Sequence, residues 1–519
     1  MDMAFSKPAD LTTSNNTGRR YQLAMLMAAV IWALLGFINL YNFSYASMDS
    51  WCYAAPAVLA KYPFDLRMPF LGTFDPASSG WGLHWPGGLF VTSIVTPFLP
   101  KYPATYVLIF MLYWLGCATT VGALVRRLSG SAEMAFVAFL LILSDHLCFS
   151  ITWLQRYELF DGMLAVLAIL ALGRKTCSVV SRMFVIALTF FLFPLLHPIY
   201  VGIGFFWLIY LLIRASFLRQ RQEWHVWFFA VGAYALGALV LILYYVLQPA
   251  RLALFLDHAH SNVEITRATS PPGIGKFLKS LALQSAPIGI GTLVYLCAFV
   301  EVARLAYKTW SSGSAIKNAF ISEPTLALSI IGLVGALLLS QSTYNLYYWS
   351  AAWPFAVVLA CQLAEYLRNR TPKAYLKYFH ALLLALLLVH MAFWPARTYK
   401  WYQQGCVNYR AEIRRFVESL PSSERLFIPD SLWDSAALEH RQVLMNTLPY
   451  NSGDDLRKKY ESYLLSTVRS GDVLIVDKLQ SHPISWNSSE EWKEIAHYAN
   501  AWKGTEKLRG LDLTAYQKR

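Results

Sequence analysis

The sequence predicts a polytopic α-helical membrane protein with about eleven transmembrane helices and a small C-terminal α/β domain. Residues of the AVILMFWYC set fill 56% of its 519 positions and charged residues only 14%, against roughly 25% charged in an ordinary soluble domain. The apolar residues fall in runs of about 20, the length that a bilayer core demands. Charges stay in short blocks between those runs until Arg397 and become frequent after it.

Residues 1–20 are polar, rich in Ser, Thr and Asn, and end in Arg19-Arg20, so they are expected to form a disordered cytoplasmic tail. The first apolar run, 21–41, is too long for a cleaved signal segment and lacks a small-residue cleavage site. It is expected to be an uncleaved span. Further spans are expected at 103–125, 134–151, 157–173, 179–196, 198–213, 226–248, 283–303, 325–342, 347–367 and 380–396, so that a transmembrane domain covers 21–396. Cytoplasmic loops carry an excess of Lys and Arg. Alternate loops here hold Arg19-Arg20, Arg126-Arg127, Arg174 with Lys175 and Arg182, Arg214 with Arg219 and Arg221, Arg304 with Lys308 and Lys317, and Arg368 with Arg370, Lys373 and Lys377. With eleven spans all of these blocks share one side. The N-terminus is then inside and the C-terminal domain outside.

Two outer loops are long. Residues 42–102 are dense in Trp, Tyr, Pro and Gly, which suits short helices lying along the interface. Residues 249–282 carry Arg251, Arg267, Lys276 and Lys279 against the orientation rule. From 397 to 519 the composition is that of a soluble domain, with helical spacing at 407–420 and 454–468 and short β-prone runs at 425–429 and 472–476. No glycine-rich nucleotide loop and no internal repeat is visible. The net charge of +13 resides in the loops that set topology, so it does not point to nucleic acid. The seven cysteines form no CxxC pair and no metal-ligand spacing, and Cys52 and Cys406, both on the outer side, are expected to be unbridged.

The ionisable residues within this apolar frame are few. Asp49 follows the first span directly, between Tyr45 and Trp51, and reads either as a proton acceptor with a raised pKa or as the cap of a following helix. His84 stands in the rigid turn Gly82-Leu83-His84-Trp85-Pro86-Gly87-Gly88. Glu158 and Asp161 are three apart at the start of the fourth span and share a helix face, either lining a cavity or, for Glu158, pairing with Arg156. Asp145-His146 and His197-Pro198 stand at the same outer level. Tyr347 and Tyr348 mark the outer end between the ninth and tenth spans, where an interfacial aromatic belt is the alternative. Arg251, Asp257, His258, His260 and Arg267 make the second long loop a candidate anion site or a solvated loop, since Arg binds phosphate oxygens bidentately.

In combination these segments resemble the GT-C glycosyltransferases, in particular the dolichyl- or polyprenyl-phosphate-mannose and aminoarabinose transferase branch. The likeness lies in Asp49 at the membrane edge, a loop running through Tyr53 and Ala60 to His84-Trp85-Pro86-Gly87, the Arg156-Tyr157-Glu158 start of a span, and Tyr347-Tyr348 before Pro354. This chain has Asp49-Ser50 where many members show two acidic residues, and His-Trp-Pro where they show His- or Lys-Pro-Pro. The resemblance implies an inverting transferase that moves a hexosyl or pentosyl group from a polyprenyl-phosphate donor to a glycan, lipid or protein acceptor on the extracytoplasmic face. It implies Asp49 as general base, with Glu158 and Asp161 as further catalytic candidates. Arg156, Arg251, His258 and Arg267 would meet the lipid phosphate, and His84, Tyr347 and Tyr348 would line the substrate. The expected setting is the bacterial inner membrane, with membrane lipids and no nucleic acid as partners. The chemistry requires no cofactor, a divalent metal is compatible with it, and no metal cage is visible. The alternatives are a lipid-linked glycan polymerase or ligase, and a transporter.

The topology is checked with fusions. A reporter that works only outside the cytoplasm is expected to be active after Arg519, and one that works only inside to be active after Arg221. The same sidedness at both positions would break the span count.

Overall fold

The computed structural model describes residues 11–43, 54–65, 67, 70–74, 86–100, 103–153, 156–173, 179–256, 260, 290–311, 323–340, 346–403, 409–421, 425–429, 432–433, 442–446, 448, 454–478, 491–500 and 511–519. Its helices are α1 (Leu11–Phe43), the short α2 (Ala55–Val58) and α3 (Gly87–Val95), then α4 (Pro103–Ser129), α5 (Ala132–Leu143), α6 (His146–Trp153), α7 (Glu158–Gly173), α8 (Val179–Leu192), α9 (Pro198–Leu218), α10 (Arg221–Val246), α11 (Ile290–Ser311), α12 (Pro324–Ser340), α13 (Trp353–Arg370) and α14 (Leu376–Gln403). The expected spans each coincide with a helix of this set, and α2 and α3 fall in the first long loop. Five of the described helices are long and apolar enough to cross a membrane. Their lipid-facing sides carry exposed Phe205, Phe228, Leu236 and Leu382, as surfaces meeting hydrocarbon do.

Four expectations need correction. Residues 11–20, expected to be disordered, continue α1 as helix; once the apolar run has nucleated a helix, each further residue adds a hydrogen bond at low cost. The third span breaks into α5 and α6 at Ser144–Asp145, where Asp145 Oδ1 accepts from the Leu147 and Cys148 amides at 2.9 Å each. A capping carboxylate competes with the through-running ladder. The second outer loop opens as helix, residues 249–256. The last helix runs past 396 to Gln403 with Pro395 inside it.

Helices approach closely where small residues let them. A Cβ on Gly237 of α10 would lie 2.0 Å from the Phe191 carbonyl oxygen of α8, and one on Gly332 of α12 would lie 2.7 Å from the Phe355 ring of α13. Buried indoles tie the bundle across: Trp114 Nε1 donates to Ile142 O at 2.9 Å and Trp207 Nε1 to Leu328 O at 3.1 Å. At the end that the basic blocks occupy, Arg368 bridges Glu133 (2.8 Å) and Glu365 (2.7 Å), and Arg214 pairs with Glu223 (3.0 Å).

The C-terminal domain is a five-stranded mixed sheet with α15 (Tyr409–Ser419) and α16 (Asp454–Thr467). Strands β1 (Arg425–Ile428), β2 (Gln442–Met445), β3 (Val473–Asp477), β4 (Trp492–Asn500) and β5 (Leu511–Lys518) lie in the order β2-β1-β3-β5-β4. The first three are parallel, and β5 and β4 add an antiparallel edge. Buried Arg425 reaches across to Asp472 at 2.7 Å.

Helix α3 has no room at its start. A Cβ on Gly88 would fall 2.3 Å from Tyr157 Cγ, and one on Gly87 2.7 Å from the Leu195 carbonyl oxygen. Gly88→Ala is therefore expected to destabilise by about 1–3 kcal/mol through overpacking. Gly232→Ala in α10, where no atom lies within 4 Å of the added Cβ, is expected to be neutral or to stabilise by up to about 1 kcal/mol through helix propensity. Thermal unfolding in detergent checks the contrast; equal effects would reject this packing of α3.

Candidate active site

The starts of α7 and α9 and the ends of α8 and α10 meet at one end of the bundle, opposite the basic blocks. Buried there are Arg156 (3% exposed), Glu158 (4%) and Asp161 (2%). Arg156 and Glu158 form an ion pair, with Nε donating to Oε1 at 2.7 Å. Asp161 accepts the His197 backbone amide at 3.4 Å, and the Tyr200 hydroxyl donates to Glu158 O at 3.4 Å. Glu158 Oε2 and Asp161 Oδ1 are buried and meet no donor among the described residues. Both carboxylates sit in the first turn of α7, where the helix dipole favours negative charge. The short helical turn Leu346–Ala351 packs against α7 as well, and a Cβ on Gly162 would lie 3.3 Å from Pro354. Arg156, Glu158, Asp161, His197 and the turn that carries Tyr347 and Tyr348 thus meet at one end of the bundle.

Beside this cluster opens a cavity of about 910 Å³, near the top of the range of roughly 300–1,000 Å³ for small-molecule sites. Its walls are apolar: Phe90 and Ile94 of α3, Phe160 and Leu164 of α7, Leu188 and Phe191 of α8, Val240 of α10. Its polar lining comes from two segments, 62–67 and 244–251: Tyr62, Asp65, Arg67, Tyr244, Gln248 and Arg251. Arg251 lies over the Tyr244 ring, 3.8 Å from its centroid, and donates Nη1 to Tyr244 O at 2.8 Å. Phe90 packs edge-on against both Phe64 (5.8 Å) and Tyr244 (5.5 Å), linking the two polar segments across the opening.

Sequence reasoning found Arg251 and missed Asp65 and Arg67. Arg67 donates Nε to Asp65 Oδ1 at 2.8 Å and Nη2 to Oδ2 at 3.2 Å. Burial alone would raise the Asp65 pKa, but the hydrogen bond and charge of Arg67 outweigh it and hold the carboxyl below its ordinary value. The preceding residue, Phe64, has φ = 65°, a left-handed conformation that costs a bulky residue of order 1–3 kcal/mol and gathers at functional sites. Its amide is held by Ser93 Oγ at 3.2 Å. The signal in the sequence was the pair Asp65-x-Arg67 in an aromatic loop, which looks the same as any solvated ion pair.

Asp49, His84, His258 and Arg267 lie outside the described residues, as do the side chains of Tyr347 and Tyr348 and both Cys52 and Cys406. The residues that follow His84, Pro86–Gly88, are held against Tyr157 and Leu195. Among the described residues no three of His, Cys, Asp and Glu are grouped to hold a metal ion.

No family model matches the chain, and no curated protein matches it by sequence. Solved structures do match its fold. One is ArnT from Cupriavidus metallidurans, in a crystal structure bound to undecaprenyl phosphate, with a TM-score of 0.55 over 94% of this chain and 97% of that one at 12% identity. The polytopic helical fold with a small C-terminal α/β domain, expected from the sequence, is the fold of this chain, and it is similar to that of ArnT.

Proposed function

We propose that this chain is an inverting membrane glycosyltransferase that takes a sugar from a polyprenyl-phosphate carrier on the extracytoplasmic face of a bacterial inner membrane. The observation that carries the reading is the cavity: its largely apolar lining suits a prenyl chain, and Arg251 with the other polar lining residues suits a phosphate. The match to a protein solved with undecaprenyl phosphate supports the same ligand class. The expected division into a tail at 1–20, a transmembrane domain at 21–396 and an extracytoplasmic domain at 397–519 serves this reading, with the domain boundary moved to the end of the helix at Gln403.

In the proposed reaction an acceptor hydroxyl attacks C1 of the sugar opposite the phosphate. Its proton passes to Asp49, the C1–O bond to the phosphate breaks, and the phosphate oxygen keeps the electron pair. Guanidinium groups offset the charge that grows on this oxygen, usually the largest catalytic contribution. Arg251 holds its planar group preorganised on Tyr244 for this role. His258 and Arg267 follow in the same loop, and His84, Tyr347 and Tyr348 are assigned to the sugar and acceptor. Glu158 and Asp161 are assigned to hydroxyls of the substrates, with Arg156 fixing Glu158 through their ion pair. As proposed, the reaction needs no metal.

The test uses the purified full chain with a panel of polyprenyl-phosphate-linked hexoses and pentoses, measuring release of polyprenyl phosphate and binding of undecaprenyl phosphate. Asp49→Asn is expected to keep lipid binding and to lower release by about 100- to 10,000-fold, the usual cost of losing a general base. A capping role predicts no loss, because Asn caps as well as Asp. Arg251→Ala is expected to weaken lipid binding about tenfold or more, as loss of a charge-assisted hydrogen bond does. Release at the wild-type rate by Asp49→Asn rejects the base, and failure of the wild type both to bind undecaprenyl phosphate and to use any donor rejects the function.

A further inference from the structure

The segment 61–67 is built with more care than a surface loop needs. Asp65 is only 8% exposed while Arg67 beside it is 50% exposed. Both carboxylate oxygens are occupied by the guanidinium, and Oδ2 also accepts the Lys61 amide at 3.5 Å. The left-handed Phe64 turns the chain so that Asp65 and Arg67 both reach the cavity. A lone carboxylate there would repel an anionic ligand. Paired in this way, it cancels one charge and pins a long side chain whose freedom would otherwise be lost on binding. The two bonds use Nε and Nη2 of Arg67, and Nη1 donates to no described residue. The guanidinium also lies 5.9 Å from the Tyr62 ring centroid, against a second residue of the same lining.

We propose that Arg67 is a second phosphate-binding side chain of this cavity, acting with Arg251 on one phosphate monoester carried by a lipid, and that Asp65 is the positioning residue that holds it there. The inference rests on the cavity being the polyprenyl-phosphate site. It assigns the anion to two arginines from separate segments, one before α3 and one after α10, so that the phosphate joins segments already in contact through the rings of Phe64, Phe90 and Tyr244.

The sign of one substitution separates positioning from simple charge. By charge alone, Asp65→Asn removes a repulsion and tightens anion binding. As a positioning residue, its loss frees Arg67 and weakens binding. The experiment measures binding of radiolabelled undecaprenyl phosphate by the full chain in detergent, with undecaprenol and inorganic phosphate as separate competitors. Arg67→Ala is expected to weaken undecaprenyl phosphate about tenfold, the scale of one charge-assisted contact, and to leave undecaprenol unchanged. Arg67→Lys is expected to recover part of the loss, since it restores the charge but not the fork. Asp65→Asn is expected to weaken binding severalfold in the wild-type background and not at all in the Arg67→Ala background, which a general loss of structure would not produce. Thermal unfolding identifies any variant that fails to fold, and Asp65→Glu, which keeps the charge and shifts the fork, then stands in with the same expected loss. Unchanged binding by Arg67→Ala, or tighter binding by Asp65→Asn, overturns the proposal while leaving Arg251 and the lipid site standing. Displacement by inorganic phosphate as effective as by the lipid overturns it in favour of a free-anion site. A wild type that binds no undecaprenyl phosphate overturns this inference, and the function falls with it only if no donor is used either.

Discussion

The clamp that the C-terminal domain places on residues 70–74 organises the end of the molecule opposite the basic blocks. The Met445 amide at the end of β2 donates to Phe70 O at 2.8 Å, so the loop adds one backbone bond where the sheet runs out. The Tyr463 hydroxyl accepts the Thr73 amide at 2.9 Å, and Phe74 packs on Tyr460 and Tyr463 with centroids 5.2 and 5.6 Å away. Gly72 sits between at φ = 61°, where an added Cβ would strike the Tyr463 hydroxyl at 2.4 Å. Upstream, the Phe64 amide donates to Ser93 Oγ of α3 at 3.2 Å. Asp65 and Arg67 therefore stand on a chain held at both ends, a condition for placing a charged side chain within hydrogen-bond tolerance of a ligand.

That arrangement gives the soluble domain a physical part in the site without any of its side chains lining the cavity among the described residues. Of its parallel strands, the outermost, β2, meets the loop through Leu444 and Met445, while β5 and β4 lie at the other end of the sheet. The buried Arg425–Asp472 pair and the Tyr460 hydroxyl, which donates to Met445 O at 2.6 Å, keep the β1–β2 edge rigid where it grips Phe70. This edge holds Phe70, and Asp65 precedes Phe70 by five residues in the sequence.

The membrane part was legible because the bilayer leaves little choice. Unsatisfied backbone groups in hydrocarbon are costly, so each apolar run had to be a helix, and alternating basic blocks ordered the ends. What stayed hidden were features that composition does not mark. Strands β4 (WKEIAHYAN) and β5 (LDLTAYQK) mix polar with apolar residues, so they lack the apolar run that gave away β1 and β3. The break at Asp145 was masked by the apolar residues on either side of it. Arg251 drew notice by violating the orientation rule, whereas Arg67 violated nothing. Its partner two residues away made it look solvated, and only the fold shows that the partner is buried and that both line the cavity.

The two carboxylates of α7 differ from Asp145 in what their oxygens do. Asp145 Oδ1 accepts two amides at 2.9 Å, which accounts for its burial as a helix cap. Asp161 is as deeply buried yet takes one long bond from the His197 amide, and its Oδ1 meets no donor among the described residues. Glu158 spends one oxygen on Arg156 and leaves the other unmatched. Buried acceptors without donors cost free energy that a purely structural residue would not retain. An apolar isostere would pack the same space without that penalty. Unused acceptor capacity at the end of the bundle where the cavity opens, beside the anchored start of α3, is the property that a site for sugar hydroxyls requires. It is also what keeps Glu158 and Asp161 within the proposed site, although the arginine pair alone would have made Glu158 a structural residue.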